Sequence, residues 1–202
     1  MYRRPVWFFV SGLALSCFLI VVPAASQAAL EDGVAAYNSG DYALAYREFL
    51  PIGEGGDKKA QLLLGLMYDN GLGVERDVQQ AAYWYRRAAE QGLPRAQFNL
   101  GLMYESGEGV SADRQASLTW VRRSAEQGYA EAQDKLARFY EAGGPIERDL
   151  VQSHLWFSLV AAQGVDSSAA ERDRIASQLS TEELEASRRQ FQVWQGVYQS
   201  VF

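Results

Sequence analysis

The residue best equipped for chemistry is His154, the single histidine among 202 residues. An imidazole can serve as a general base or a metal ligand. Zinc needs further cysteine, histidine or carboxylate ligands beside it, and a nucleophilic dyad needs a hydroxyl or thiol within reach. The one cysteine, Cys17, sits in an apolar run near the N-terminus. The sequence thus points to no metal set, no cofactor and no catalytic triad. Gly71-x-Gly73 and Gly107-x-Gly109 superficially resemble phosphate loops. A dinucleotide loop follows a strand, however, and a P-loop ends in Gly-Lys-Ser/Thr. Neither context surrounds these pairs. Glu105 and Glu108 could form a carboxylate pair, but in a helical chain with 25 acids a solvated face is the ordinary place for them. Arg86-Arg87 and Arg122-Arg123 form a basic ladder that Ser158-Leu159 interrupts. It either complements helix C-terminal dipoles or docks an acidic ligand.

These residues belong to a periodic pattern. Alanines at Ala60, Ala96 and Ala132, leucines at Leu64, Leu100 and Leu136, and tyrosines at Tyr68, Tyr104 and Tyr140 recur every 36 residues. Gly71, Gly107 and Gly143 keep the same step, as do Asp77, Asp113 and Asp149, Trp84, Trp120 and Trp156, and Gly92, Gly128 and Gly164. A period of this length signals stacked repeats. Ala96, Leu100, Gly101 and Tyr104 fall at i, i+4, i+5 and i+8, on one side of a helix A. Gly101 admits a neighbouring helix, and Tyr104 is expected to fill the space beside it. Gly107 and Gly109 turn the chain, Asp113 caps a helix B, and Gly128 ends it. Ser117, Trp120, Ser124 and Ala125 form the inner stripe of helix B.

The residue pattern of alanine, leucine-glycine, tyrosine, G-x-G-V, aspartate, tryptophan, double alanine and glycine resembles the Sel-one-like repeat, a relative of the tetratricopeptide repeat. GLMYDNGLGV at Gly65–Val74 and GLMYESGEGV at Gly101–Val110 match closely. The third copy departs, with Ala137 for the first glycine, Gly144-Pro145 in the loop and Val160 where alanine is preferred. The resemblance implies an all-α, right-handed superhelical solenoid of antiparallel helix pairs, with repeats at 57–92, 93–128 and 129–164. In the related tetratricopeptide fold, helix A lines a concave groove. Carried over by position, the inward residues are Leu62, Leu66, Asp69 and Asn70; Phe98, Leu102, Glu105 and Ser106; and Asp134, Arg138, Glu141 and Ala142. Such a groove is apolar in its first two repeats and charged in its third, which suits a peptide with a hydrophobic anchor beside a polar or basic end. Phe98 is the expected anchor contact. Packing of Leu62, Leu66 and Phe98 between adjacent A helices is the competing reading, and the sequence leaves both open.

Residues 29–56 read as a shortened, tetratricopeptide-like capping repeat, with helices at 30–38 and 41–52 ending near Pro51 and Gly53. After Gly164 the period stops. Ser168-x-x-Glu171 and Ser180-x-x-Glu183 match the capping box, predicting C-terminal capping helices over 168–179 and 181–200 within 165–202. Ile175, Leu179, Leu184, Phe191, Trp194 and Val197 are their expected buried positions. Trp194, Tyr198 and Phe202 either dock on the third repeat or offer a partner site.

Residues 1–28 carry the marks of a secretory signal peptide: Arg3-Arg4, an apolar run from Pro5 to Val22, and small residues Ser26 and Ala28 at the cleavage position. A retained anchor and lipidation at Cys17 are the alternatives; Ala14-Leu15-Ser16 is a poor lipobox. The chain has a formal net charge of −6, which becomes −8 without that segment. The processed chain then lacks cysteine, membrane insertion is not expected, and its acidity disfavours nucleic acid. Exported bacterial members of the resembled family often act as regulators or adaptors. The expected function is therefore a non-enzymatic interaction protein of the cell envelope, in the periplasm of a Gram-negative bacterium, that binds a peptide or protein. The alternative is a hydrolase of cell-wall or β-lactam substrates. Some cysteine-rich members are linked with penicillin binding, but this chain has neither those cysteines nor a Ser-x-x-Lys motif.

Overall fold

A computed structural model describes the backbone of residues 24–201 and the side chains of 27–196. The apolar run and Cys17 of the expected signal peptide lie outside the described residues. Ten helices and no strand make up the described chain: α1 (Ala24–Ser39), α2 (Tyr42–Glu54), α3 (Lys58–Asn70), α4 (Val78–Glu90), α5 (Pro94–Ser106), α6 (Arg114–Glu126), α7 (Ala130–Ala142), α8 (Leu150–Ala161), α9 (Asp166–Ala176) and α10 (Thr181–Val201). Each packs on its chain neighbours from α1 to α9, and α10 folds back onto α8. This is a solenoid of helix pairs, three of them alike.

The A–B loop is shaped by two recurring features. The backbone N–H groups of Asp77, Asp113 and Asp149 donate to the carbonyls of Tyr68, Tyr104 and Tyr140 at 3.0, 2.8 and 2.8 Å. The aspartate carboxylates then accept from the first turn of helix B, Asp113 from Gln115 N–H at 2.9 Å and Ala116 N–H at 3.0 Å. One aspartate therefore closes the loop and starts the next helix.

Where α3 crosses α4, a Cβ at Gly65 would lie 2.5 Å from the Tyr85 ring, and where α5 crosses α6, one at Gly101 would lie 2.8 Å from Val121 Cγ2. The fully buried residue facing each glycine thus comes from helix B. This corrects the role expected for Tyr104: its hydroxyl accepts from the Arg86 guanidinium at 2.9 Å instead. Tyr104 lies three residues, nearly one full turn, beyond Gly101, so it sits above the crossing point instead of inside it.

A buried amide network also recurs. Gln61, Gln97 and Gln133, each the residue after the repeat alanine, donate to the carbonyls of Gly53, Ala89 and Ala125 at 2.9, 3.1 and 3.1 Å. Gln91, Gln127 and Gln163, just past each helix B, donate to the side-chain oxygens of the same three glutamines at 2.8, 2.7 and 2.7 Å. The first glutamine of each pair spans two repeats, and the second ties the pair's own two helices together. Gln97→Leu keeps the volume but removes two buried hydrogen bonds, its own to the Ala89 carbonyl, which Gly92 N–H also reaches at 2.9 Å, and the one it accepts from Gln127, so it should destabilise the protein by about 1–3 kcal/mol in urea unfolding. An unchanged unfolding midpoint would show that water replaces the amide.

The terminal elements differ from expectation in two ways. Helix α2 continues through Pro51 to Glu54, because a proline near a helix C-terminus loses one hydrogen bond without ending the last turn. Helix α9 starts at Asp166, so Ser168 does not cap it; its buried hydroxyl donates to Asp134 Oδ1 at 3.1 Å. A tertiary acceptor has taken the hydroxyl that the capping box would use. Ser180 and Glu183 do form a reciprocal box, Ser180 N–H donating to the carboxylate at 2.8 Å and Glu183 N–H to Ser180 Oγ at 3.3 Å. Ile175 is fully buried, and Trp194 stacks on Trp156 with centroids 5.3 Å apart. The side chains of Val197, Tyr198 and Phe202 lie outside the described residues.

Candidate functional site

Two adjoining cavities run along the A helices, about 580 and 690 Å³ in volume, and Phe98 lines both. Phe98 is half-buried on α5, with its ring against Tyr129 at 5.5 Å. It is held from one side by the next repeat and open on the other, so it both packs between A helices and faces the hollow.

The first cavity gathers Leu66 and Asp69 from α3 with Phe98, Leu102, Glu105 and Ser106 from α5. Leu102 is 36% exposed. The second brings Asp134 and Arg138 from α7 to the other side of Phe98. Leu62 is instead packed in the core shared by α4 and α5. Asn70 turns its amide onto the Leu66 carbonyl at 2.8 Å, and Ala142 is exposed at the end of α7.

The charged third of the row is already occupied in part by the chain itself. Asp134 accepts from Ser168, Arg138 lies 3.8 Å from Glu171, and Glu141 receives the Arg174 guanidinium at 2.7 Å, all three partners on α9. Glu141 therefore faces α9 and lines neither cavity. Arg138 also pairs with Asp134 at 2.8 Å, the main reason its guanidinium is held above its ordinary pKa. These residues bind the C-terminal cap to the last repeat, a role the period could not reveal because α9 lies outside it.

Seven further residues of the first cavity escaped the positional argument, among them Tyr85, Arg95, Asn99 and Tyr129. Tyr85 donates its hydroxyl to Asp69 at 3.2 Å, and burial, then Asp69, raises its pKa far above the ordinary 10. Burial, then Glu131, raises Tyr129 as well. Both phenols stay protonated and act as hydrogen-bond donors. Asn99 directly precedes the repeat leucine, so its half-buried amide enters the hollow beside Phe98. The signal for it was that adjacency; Tyr129 carried no such mark.

Acid predominates in the first cavity. Glu105 is neutralised by Lys135, whose Nζ sits 2.6 Å from its carboxylate, and Glu108 reaches Arg76 at 3.9 Å. Asp69 and Glu131 have no ion-pair partner among the described residues, and Arg95 is the one cation lining the cavity. No group of histidine, cysteine and carboxylates among the described residues could hold a metal.

Three of the four ladder arginines are spent on aromatic side chains. Arg87 lies over Trp84 at 5.4 Å and Tyr83 at 5.8 Å, and Arg123 over Trp120 at 4.8 Å. Arg86 is held by Tyr104.

The Sel1 repeat family profile matches residues 58–93, 94–129 and 130–165, each one A–B pair of the structure. The chain belongs to the Sel1 repeat family. A Sel1 repeat protein of Oxalobacter formigenes is 34% identical and superimposes with a TM-score of 0.68, over 71% of this chain and 59% of its own. The protective antigen c5321 of uropathogenic Escherichia coli, which displays the same repeat fold, is 39% identical with a TM-score of 0.72, over 76% of this chain and 34% of its own. The chain therefore spans well under two thirds of either relative. No curated protein is similar enough in sequence to count as a match. Sel1 repeats commonly mediate protein–protein interaction, and no helix among the described residues is long and apolar enough to cross a membrane.

Proposed function

We propose that this Sel1 repeat protein is an exported, non-enzymatic adaptor of the bacterial cell envelope that holds a peptide segment of its partner along the A helices. The observation that carries this reading is the half-buried Phe98 shared by two adjoining cavities. An aromatic ring fixed on one side and open on the other is pre-organised to receive an apolar side chain. Asp69 and Glu131, without ion pairs among the described residues and outnumbering the single cation Arg95, favour a basic residue next to that anchor, and Asn99 and the protonated Tyr85 supply polar contacts for the peptide backbone. Export rests on the N-terminal pattern of Arg3-Arg4, apolar run and small residues.

The test is crosslinking in cells, followed by recovery of the processed protein from the periplasmic fraction and mass spectrometry of what is attached. One recurrent partner that is lost when Phe98 becomes aspartate is expected. Recovery from the cytoplasm, or a partner indifferent to Phe98→Asp, would overturn the reading. So would turnover of a chromogenic β-lactam by the purified protein.

A further inference from the structure

A third cavity, of about 400 Å³, opens between α8, α9 and α10, away from the A-helix hollow. Its polar wall is made by His154, Arg172, Asp173 and Arg188, and its apolar wall includes Leu184 and Phe191. His154 is only 6% exposed, and its Nδ1 sits 2.8 Å from the hydroxyl of fully buried Ser187. Ser187 does not line the cavity, so the pair is not an accessible nucleophile with its base. Its effect is to fix the ring and leave Nε2 as the nitrogen available to a ligand. Arg172 is neutralised by Asp173 at 2.7 Å. Arg188 has no ion pair among the described residues, so the wall carries one positive charge in excess.

We infer that this cavity binds a carboxylate on a short apolar body, the carboxylate held between Arg188 and His154 Nε2 and the body against Leu184 and Phe191. One excess cation matches a monoanion, whereas a phosphate dianion would leave a second negative charge without a partner beside the apolar wall. The carboxylate can come from a free small acid or from the end of a peptide; the recognition chemistry is the same.

The charged groups facing the ring are Arg172 and Asp173 from α9 and Arg188 from α10. Burial, with the two arginines, holds His154 below its ordinary pKa of 6.5. The unfolded chain then takes up the proton more readily, so folding stability falls as the pH drops below 6.5. A bound carboxylate opposes the arginines and favours the imidazolium, so its binding strengthens on acidification through the same window.

Because His154 is the only histidine, one imidazole signal in a proton–carbon NMR spectrum of the full chain reports the site. Hexanoate should move that signal and raise its pKa by about one unit, a roughly tenfold change in proton affinity. Arg188→Gln, at an exposed position, should weaken hexanoate about tenfold or more while the protein stays folded. Acetyl-Ala-Leu with a free C-terminus, compared with its amide, separates the sources. Binding of the free-acid peptide supports capture of a chain end, and binding of hexanoate alone supports a small metabolite acid. An unmoved signal at millimolar hexanoate, an equal response to hexanamide, or undiminished affinity in Arg188→Gln would overturn the assignment.

Discussion

Replacing Gly109 with alanine should lower the melting temperature by about 6–20 °C, taking 3–5 kcal/mol of lost stability at 2–4 °C per kcal/mol for a protein of this size. Gly109 adopts φ +70°, in the left-handed region, and an added Cβ would fall well inside van der Waals contact with the Val78 carbonyl oxygen. The strain contributes about 1–3 kcal/mol and the steric clash about as much again, because the obstacle is backbone at the first residue of α4 and not a flexible side chain. Gly92 is the control. It has φ +81° with open space around its Cβ, so Gly92→Ala carries the strain alone and should cost about half as much, roughly 2–12 °C. Equal losses at the two positions in calorimetry would refute the contact. Gly73 meets the carbonyl of Tyr42, at the start of α2, in the same way. The second glycine of each G-x-G is thus a point where one repeat's loop rests on the preceding helix B. Loss of that contact should also broaden unfolding, since coupling between neighbours is what makes a repeat array cooperative. In the third copy Pro145 replaces this glycine, and the left-handed residues become Gly143 and Gly144.

Phe98→Asp should reduce affinity for the peptide partner by roughly 30- to 1000-fold, the 2–4 kcal/mol of a central aromatic contact, while the protein stays folded. Some stability is lost with the Tyr129 contact, about 1 kcal/mol for an aromatic pair. Leu102→Glu separates binding from folding, because that side chain is already exposed and lines the same cavity. It should weaken capture with an unchanged melting temperature. Titration of the purified partner by calorimetry measures both. If Leu102→Glu and Phe98→Asp both bind as the wild type does, the A-helix hollow is not the binding face.

A reversed charge at Asp69 offers a finer test of the partner's chemistry. Asp69→Lys should disfavour a basic peptide and favour an acidic one, with the salt dependence of binding changing sign. It also removes the acceptor of the Tyr85 hydroxyl, so Asp69→Asn serves as the variant that keeps the hydrogen bond and removes only the charge.

What the sequence determined by itself was the local structure that repeats. A period of 36 residues constrains local structure three times over, so the A and B helices, their aspartate caps and the glycine turns were legible before any coordinates. The helix A residues around Phe98 were legible for the same reason, as positions in a known repeat geometry. The glutamine network obeys the period too, yet a polar residue beside an alanine says nothing about burial until the carbonyl eight residues back is seen to approach it. Only the tertiary structure decided what happens where the period stops. It gave Ser168 to Asp134 instead of to a cap, turned Glu141 toward Arg174, and placed Ser187 and Arg188 beside His154, 33 residues away in the chain for the first of them. A hydrogen bond or ion pair of that kind depends on how α9 and α10 dock, and docking is set by apolar surfaces such as Trp156 and Trp194, whose pairing no local pattern encodes.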